Sequence, residues 1–279
     1  MNSYLAFKNY LIMSRPLNIL IVFLSVLLGG ILVRGLTLPS ALIMAGITAM
    51  LIAAGGNIIN DIYDLEIDKI NKPSRLLPSG RVSLRTAWFY FLFSYLCGLS
   101  VSLTLGTTLF TIAVIIAVLL YFYSFKLKRT ILFGNIAVSL SGAMAFIYGA
   151  GAVGSYEKGV FPALFALLFH FGREVIKDMQ DVEGDLNNQA ITFAGKFGKH
   201  KSVILINFVY VLLIIITIIP YILNIYNRYY LWIVVGGVDL ILLLVNVLLW
   251  IRNDGKTLGR LSHLLKLDML IGLIALYVG

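Results

Sequence analysis

Asn60-Asp61-Ile62-Tyr63-Asp64-Leu65-Glu66-Ile67-Asp68 ends an apolar run that begins near Pro39, and it sets four acids within eight residues. The pattern returns 117 residues later as Lys177-Asp178-Met179-Gln180-Asp181-Val182-Glu183-Gly184-Asp185, again after a long apolar run. On a helix, at about 100° per residue, Asn60, Asp64 and Asp68 share one stripe. Lys177, Asp181 and Asp185 share its counterpart, and Asp61 and Asp178 lie beside the two stripes. Like charges one turn apart repel, so cations belong between them. Hard oxygen donors at this spacing suit Mg²⁺, which keeps several waters and takes substrate phosphate oxygens as further ligands. The bland alternative is a solvated acidic helix end with no function.

The apolar runs on either side decide the class. The 279 residues are 60% hydrophobic and 13% charged, with a mean hydropathy of +0.94, which describes a polytopic membrane protein. Runs long enough to cross a bilayer lie near 16–34, 39–60, 85–105, 107–125, 132–153, 160–180, 202–223, 229–251 and 263–278. The first lacks a small-residue cleavage site and is read as a retained helix. A tight outer turn is needed around Leu105-Gly106-Thr107. The expected architecture is all-α: nine transmembrane helices arranged as two four-helix repeats plus one around a central cavity. No soluble linker interrupts the chain, so residues 1–279 read as a single transmembrane domain. The single cysteine, Cys97, can form neither an internal disulfide nor a cysteine zinc site.

Charge gives an orientation. With a cytoplasmic N-terminus, all of the 22 basic residues except Arg34, Lys158 and Arg228 fall on the cytoplasmic side or its border. The net charge of +9 is therefore one-sided, and it favours anionic lipid over nucleic acid, for which no aromatic-basic interleaving is present. Four crossings separate the two acidic stretches, which places both on the cytoplasmic side. The expected setting is a multi-pass protein of the cell membrane with its N-terminus and active-site loops in the cytoplasm.

Basic groups gather where the acids do. Lys69 to Arg81 follows the first acidic stretch as a loop broken by Pro73, Pro78 and Gly80, and Lys72 and Arg75 are the expected diphosphate contacts. Tyr123, Lys126 and Lys128 end the fourth span on the same side. Arg173, Glu174 and Lys177 precede the second set of acids. Lys177 replaces Asn60 in the repeat, and it could either hold a metal-bound phosphate oxygen or pair with Asp181; Arg173 and Glu174 could contact substrate or pair with each other. His170 reads as a satisfied buried histidine or a participant. Asp239 is an isolated intramembrane acid, which is a functional hypothesis in itself.

Asn60-Asp61-x-x-Asp64-x-x-x-Asp68, Arg75-Leu-Leu-Pro78-Ser79-Gly80 and Asp181-x-x-x-Asp185 together resemble the signatures of the UbiA superfamily of intramembrane prenyltransferases over essentially the whole chain. The resemblance implies nine helices, two Mg²⁺ ions between the motifs, a prenyl diphosphate bridging them and transfer to an acceptor. Asp64, Asp68, Asp181 and Asp185 would be central to catalysis, with Asn60, Asp61 and Asp178 completing the metal ligands. Arg173 through Asp185 is most similar to the archaeal ether-lipid branch, which implies geranylgeranyl diphosphate as donor and geranylgeranylglyceryl phosphate as acceptor, in the membrane lipid. A Tyr-x-x-x-Lys element of the family is represented here only by Tyr123 with Lys126 and Lys128. Two other readings stay open at this point: prenylation of an aromatic acceptor such as a hydroxybenzoate or quinone precursor, and, from another class, a membrane transporter.

Overall fold

Arg15, Pro39, Ser83 and Asp254 mark where helices begin, and the apolar runs between such starts set the helix lengths. The structure, a computed structural model, describes residues 3–187 and 191–279, with the side chains of residues 3, 71 and 183–187 outside the described set. Among the described residues, nine helices are long and apolar enough to cross a membrane. Contacts within the chain divide it into two compact units. One is made of Met1–Leu127 and Ala145–Gly159, and the other of Lys128–Met144 and Val160–Gly279.

The first unit starts with a helix that the apolar runs do not announce. α1 (Ser3–Ser14) is too short to span, and α2 (Pro16–Arg34) follows it after Arg15, whose φ of 57° is left-handed. Pro16 suits the first helical turn because its missing N–H has no partner there in any case. α3 (Ser40–Tyr63) carries the first acids and stops at Asp64, after which α4 (Leu65–Asn71) begins. The amide N–H of Asp64 donates to the Asn60 carbonyl (3.0 Å) and that of Asp68 to the Asp64 carbonyl (2.7 Å), so the expected stripe survives the break. α5 (Leu84–Leu103) begins at Ser83, whose hydroxyl accepts the Thr86 N–H, and α6 (Thr107–Phe125) follows a turn through Gly106 at φ 94°. The tight turn expected there is present. Tyr90 donates to the Ala6 carbonyl and Tyr10 shares a hydrogen bond with Ser94, which fastens α1 along the start of α5.

α7 (Phe133–Ala152) contributes its first twelve residues to the second unit and its last eight to the first. Within the first unit, a Cβ on Gly149 would stand 1.8 Å from the Val26 carbonyl oxygen, and one on Gly29 would stand 2.2 Å from that of Phe146. Only glycine permits α2 and α7 to approach this closely, which is how membrane helices associate without a hydrophobic driving force.

In the second unit, α8 (Val160–Asn187) is the acidic helix. α9 (Phe193–Ile222) begins nine residues before the expected span because the Thr192 hydroxyl caps it, accepting the Gly195 N–H. Gly198, at φ 82°, breaks α9 into a short first segment and a long apolar one. The eighth span is α10 (Arg228–Ile233), a π-type stretch (Val234–Asp239) and α11 (Leu240–Ile251). α12 (Gly255–Val278) begins eight residues before the expected 263, because Asp254 accepts the N–H groups of Lys256 and Thr257. Those hydrogen bonds, with one from the Thr257 hydroxyl, hold the exposed Asp254 carboxyl below the usual carboxylate range.

The duplication seen in the acids extends to the backbone. The described residues contain eight left-handed positions, and they form four pairs: Arg15 with Leu132, Gly35 with Gly154, Gly80 with Gly198, and Gly106 with Asn224, separated by 117, 119, 118 and 118 residues. Each pair flanks corresponding helices. α2 thus matches α7, α3 and α4 match α8, α5 matches the spanning part of α9, α6 matches α10 to α11, and α12 is the extra helix. Three of the eight are not glycine, and a left-handed residue with a side chain costs about 1–2 kcal/mol. The turn geometry is therefore retained even where it strains the residue that occupies it.

Candidate active site

In the first unit, the last turn of α3 and the first of α4 present the acids, and the following loop brings cations back to them. Leu76 and Leu77, 7% and 6% exposed, insert into a core with Ile58, Ile62, Val82 and Phe91. Their burial pins the residue before them. Arg75 Nη1 lies 2.6 Å from Asp68 Oδ2 and 3.4 Å from Asp61 Oδ1. Asp61 Oδ1 also lies 2.6 Å from Arg15 Nη2, so its carboxylate stands between two guanidinium groups. Asp68 is 4% exposed, and a carboxylate at that depth requires such a partner. Asn60 donates its amide to Asp64 Oδ2 at 2.9 Å. Asn57 donates to the Ser14 carbonyl at 2.8 Å, which holds the α1–α2 junction, and with it Arg15, at the level of the acids.

The remaining residues expected in this unit lie nearby in the chain with less enclosure. Lys72 is exposed just past α4, Tyr123 is half-buried near the end of α6, and Lys126 is exposed at its C-cap. An aromatic cluster supports that end: the hydroxyls of Tyr63 and Tyr121 are 2.9 Å apart, with Trp88 edge-on to Tyr63 and Phe125 tilted against it.

In the second unit, the cations sit on the acidic helix itself. Glu174, 7% exposed, accepts from Lys177 Nζ at 2.8 and 3.0 Å and from Arg173 Nη1 at 3.3 Å. Lys177 thus pairs one turn deeper and not with Asp181, and of the two readings of Arg173 and Glu174 the structure shows the mutual pair. Arg173 Nε also donates to the Ser262 carbonyl of α12 at 3.2 Å. Asp178 Oδ2 accepts the Asn135 amide of α7 at 2.8 Å. Asp181 is exposed and Lys128 is half-buried in a short 3₁₀ turn, Leu127–Arg129. Asp185 lies on α8, with its side chain outside the described residues. His170 packs against Gly142, where a Cβ would stand 2.9 Å from Nε2, so it fills the α7–α8 contact.

Two partners were not found by reading the sequence. Arg15 and Asn135 both act on acids more than forty residues away. The repeat offers a signal for Asn135 alone, since an offset of 117 aligns it with Asn18, whereas Arg15 aligns with Leu132.

The donor set can be tested against a divalent cation. Among the described residues, no three His, Cys, Asp or Glu side chains converge into a closed cage. What each unit offers is a row of carboxylate and amide oxygens along one helix end, each row with its own cations beside it. That suits an ion that retains water and completes its shell with phosphate oxygens, and not a structural zinc.

Comparison with known proteins agrees with this chemistry. The UbiA prenyltransferase family matches residues 20–267. A digeranylgeranylglyceryl phosphate synthase of Sulfurisphaera tokodaii is 36% identical over 276 residues, covering 98% of each chain. One of Methanococcus aeolicus is 32% identical, covering 99% of this chain and 98% of its own. A solved structure described as digeranylgeranylglyceryl phosphate synthase in membranes has 33% identity and a TM-score of 0.80 over 98% of each chain. A UbiA homolog from Archaeoglobus fulgidus, solved with GPP and Mg²⁺, shares the fold at 18% identity and a TM-score of 0.72, covering 96% of this chain and 99% of its own. The relationship favours an enzyme over a transporter: with its nine apolar helices and duplicated acids, the chain belongs to the UbiA prenyltransferase family.

Proposed function

We propose that the protein transfers a geranylgeranyl group from geranylgeranyl diphosphate to the free hydroxyl of geranylgeranylglyceryl phosphate, with Mg²⁺, in the cell membrane and with its acidic helix ends toward the cytoplasm. The observation that carries this reading is full-length identity above 30% to proteins named for that synthesis, joined to a doubled set of carboxylates. The one-sided distribution of Lys and Arg supports the orientation.

Asn60, Asp64 and Asp68 in one unit, and Asp181 and Asp185 in the other, would hold Mg²⁺, with Asp61 and Asp178 beside them. Bound there, the metal supplies neutralising charge as the bridging oxygen of the leaving diphosphate becomes negative. Arg75 and Lys72 bind phosphate oxygens, and so do Lys126, Lys128 and Tyr123. Arg75 spans Asp61 and Asp68, so incoming phosphate competes with those carboxylates for its guanidinium. Arg15 is the second guanidinium that reaches the first acids, and it can keep Asp61 paired when Arg75 turns to phosphate. In the second unit, Arg173 and Lys177 share Glu174 and keep one net positive charge, which suits the acceptor phosphate. The apolar helix interior keeps water from the allylic cation, and the acceptor hydroxyl becomes acidic as its oxygen attacks, so it loses its proton without a strong base.

The test supplies purified protein with labelled geranylgeranyl diphosphate and, separately, with geranylgeranylglyceryl phosphate or a hydroxybenzoate. Label in the ether lipid, dependent on Mg²⁺, is the expected result. Label in the aromatic product alone overturns the acceptor, and no label with any acceptor overturns the reaction.

A further inference from the structure

The second unit buries an excess of oxygen acceptors far along the chain from its acidic motif. Asp239 is 3% exposed at the end of the π-type stretch, and Asp268 is 0% exposed on α12. These elements pack closely: a Cβ on Gly237 would stand 2.7 Å from Ile271 Cγ2, and one on Gly272 would stand 3.9 Å from Val238 Cγ2. Those contacts put Asp239 and Asp268 within about one turn of the same level on neighbouring elements, both carboxyls buried.

The hydrogens available to this group fall short of the oxygens. Thr217 Oγ1 lies 3.2 Å from both oxygens of Asp239, yet its single proton has a shorter path, 2.7 Å, to the Ile214 carbonyl. Neither oxygen of Asp268 has a hydrogen-bond partner among the described residues. Pro220 within α9 leaves the Ile216 carbonyl, next to Thr217, without its helical donor. A buried carboxylate with no donor is among the costliest groups a fold can hold.

We propose that Asp239, Asp268 and the Thr217 hydroxyl form a binding site for one monovalent cation, with Na⁺ as its natural occupant. Oxygen donors of this kind suit hard cations, and the offset backbone of a π-type stretch is a frequent companion of functional sites. The cation would tie the eighth span to α9 and α12 and so stabilise the second unit, independently of the transfer reaction.

Thermal unfolding of the purified protein, with Mg²⁺ removed by chelation and choline holding ionic strength constant, tests the site. Na⁺ is expected to raise the melting temperature by about 5 °C at saturation. Asp268→Asn should abolish the rise and Thr217→Val should weaken it. If Asp268→Asn fails to fold, the Na⁺ titration of the native protein and of Thr217→Val decides. Absence of any Na⁺-specific rise overturns the proposal, as does a rise that persists unchanged in Asp268→Asn or, where that variant fails to fold, in Thr217→Val. A melting temperature that follows pH and ignores Na⁺ also overturns it, and assigns the pair to shared protons instead.

Discussion

The two acidic helix ends repeat their carboxylates but obtain their positive charge differently. At the first, cations arrive from elsewhere in the chain: Arg15 from the α1–α2 junction and Arg75 from the loop after α4. At the second they are written into α8, where Arg173, Glu174 and Lys177 occupy the positions that correspond to Gly56, Asn57 and Asn60. The second acid of each motif is also held by another residue: Asp61 lies against two guanidinium groups, and Asp178 accepts the Asn135 amide. Duplication thus preserved the carboxylates and left the residues around them free to differ, as expected if the two ends hold different anionic groups of the substrates.

The broadest way to break this comparison is to remove one carboxylate from each end. Asp64→Ala and Asp181→Ala are each expected to lower Mg²⁺-dependent transfer by about 10²–10³-fold, the size of losing a major electrostatic contact to a developing anion. Single-turnover rates with circular dichroism as a folding control provide the check. Loss at one end with full activity at the other would make one motif structural and remove the functional equivalence.

Much of this was available from the chain alone. The nine spans follow from long apolar runs, and the motif pair follows from a close repeat of residue types, both of which are local signals. The residues that complete the sites are not local. Arg15 lies 46 residues from Asp61 and Asn135 lies 43 from Asp178, and only Asn135 has a counterpart in the repeat, Asn18. α1 gives no signal of its own, because its twelve residues are too few to span and mix Tyr4, Lys8 and Asn9 with apolar groups. The break at Asp64 leaves no mark in the sequence, since the hydrogen bonds on either side of it maintain the helical stripe that carries Asn60, Asp64 and Asp68.

A narrower comparison sets Arg15→Ala against Asn135→Ala. Arg15 is about one-third exposed, so solvent screening limits the direct stability loss to about 1 kcal/mol, and Asn135→Ala should cost a similar amount by removing a donor to Asp178. The kinetic effects should differ. Without Arg15, Asp61 draws Arg75 toward itself, and the KM for the diphosphate donor should rise by roughly tenfold, a shift equivalent to about 1.4 kcal/mol. Asn135→Ala should leave that KM nearly unchanged. Equal KM values for the two variants would show that Arg15 only packs the junction.

The smallest effect tests whether the repeat constrains the backbone apart from any charge. Arg15 and Leu132 share a left-handed conformation ahead of corresponding helices, but only Arg15 has an ion pair to offset the strain. Leu132→Gly should therefore raise stability by up to about 1 kcal/mol, because the relief of a left-handed side chain exceeds the extra freedom glycine gains when unfolded. Arg15→Gly removes the same strain together with the contact to Asp61, so its net change should be near zero or unfavourable. Melting curves of the two variants provide the measurement. If both stabilise equally, the ion pair at the first end contributes nothing to folding, and the contrast between the ends is confined to substrate binding. If Leu132→Gly destabilises, its side chain packs more favourably than its backbone is strained, and the turn is held in place by packing at the second end and by charge at the first.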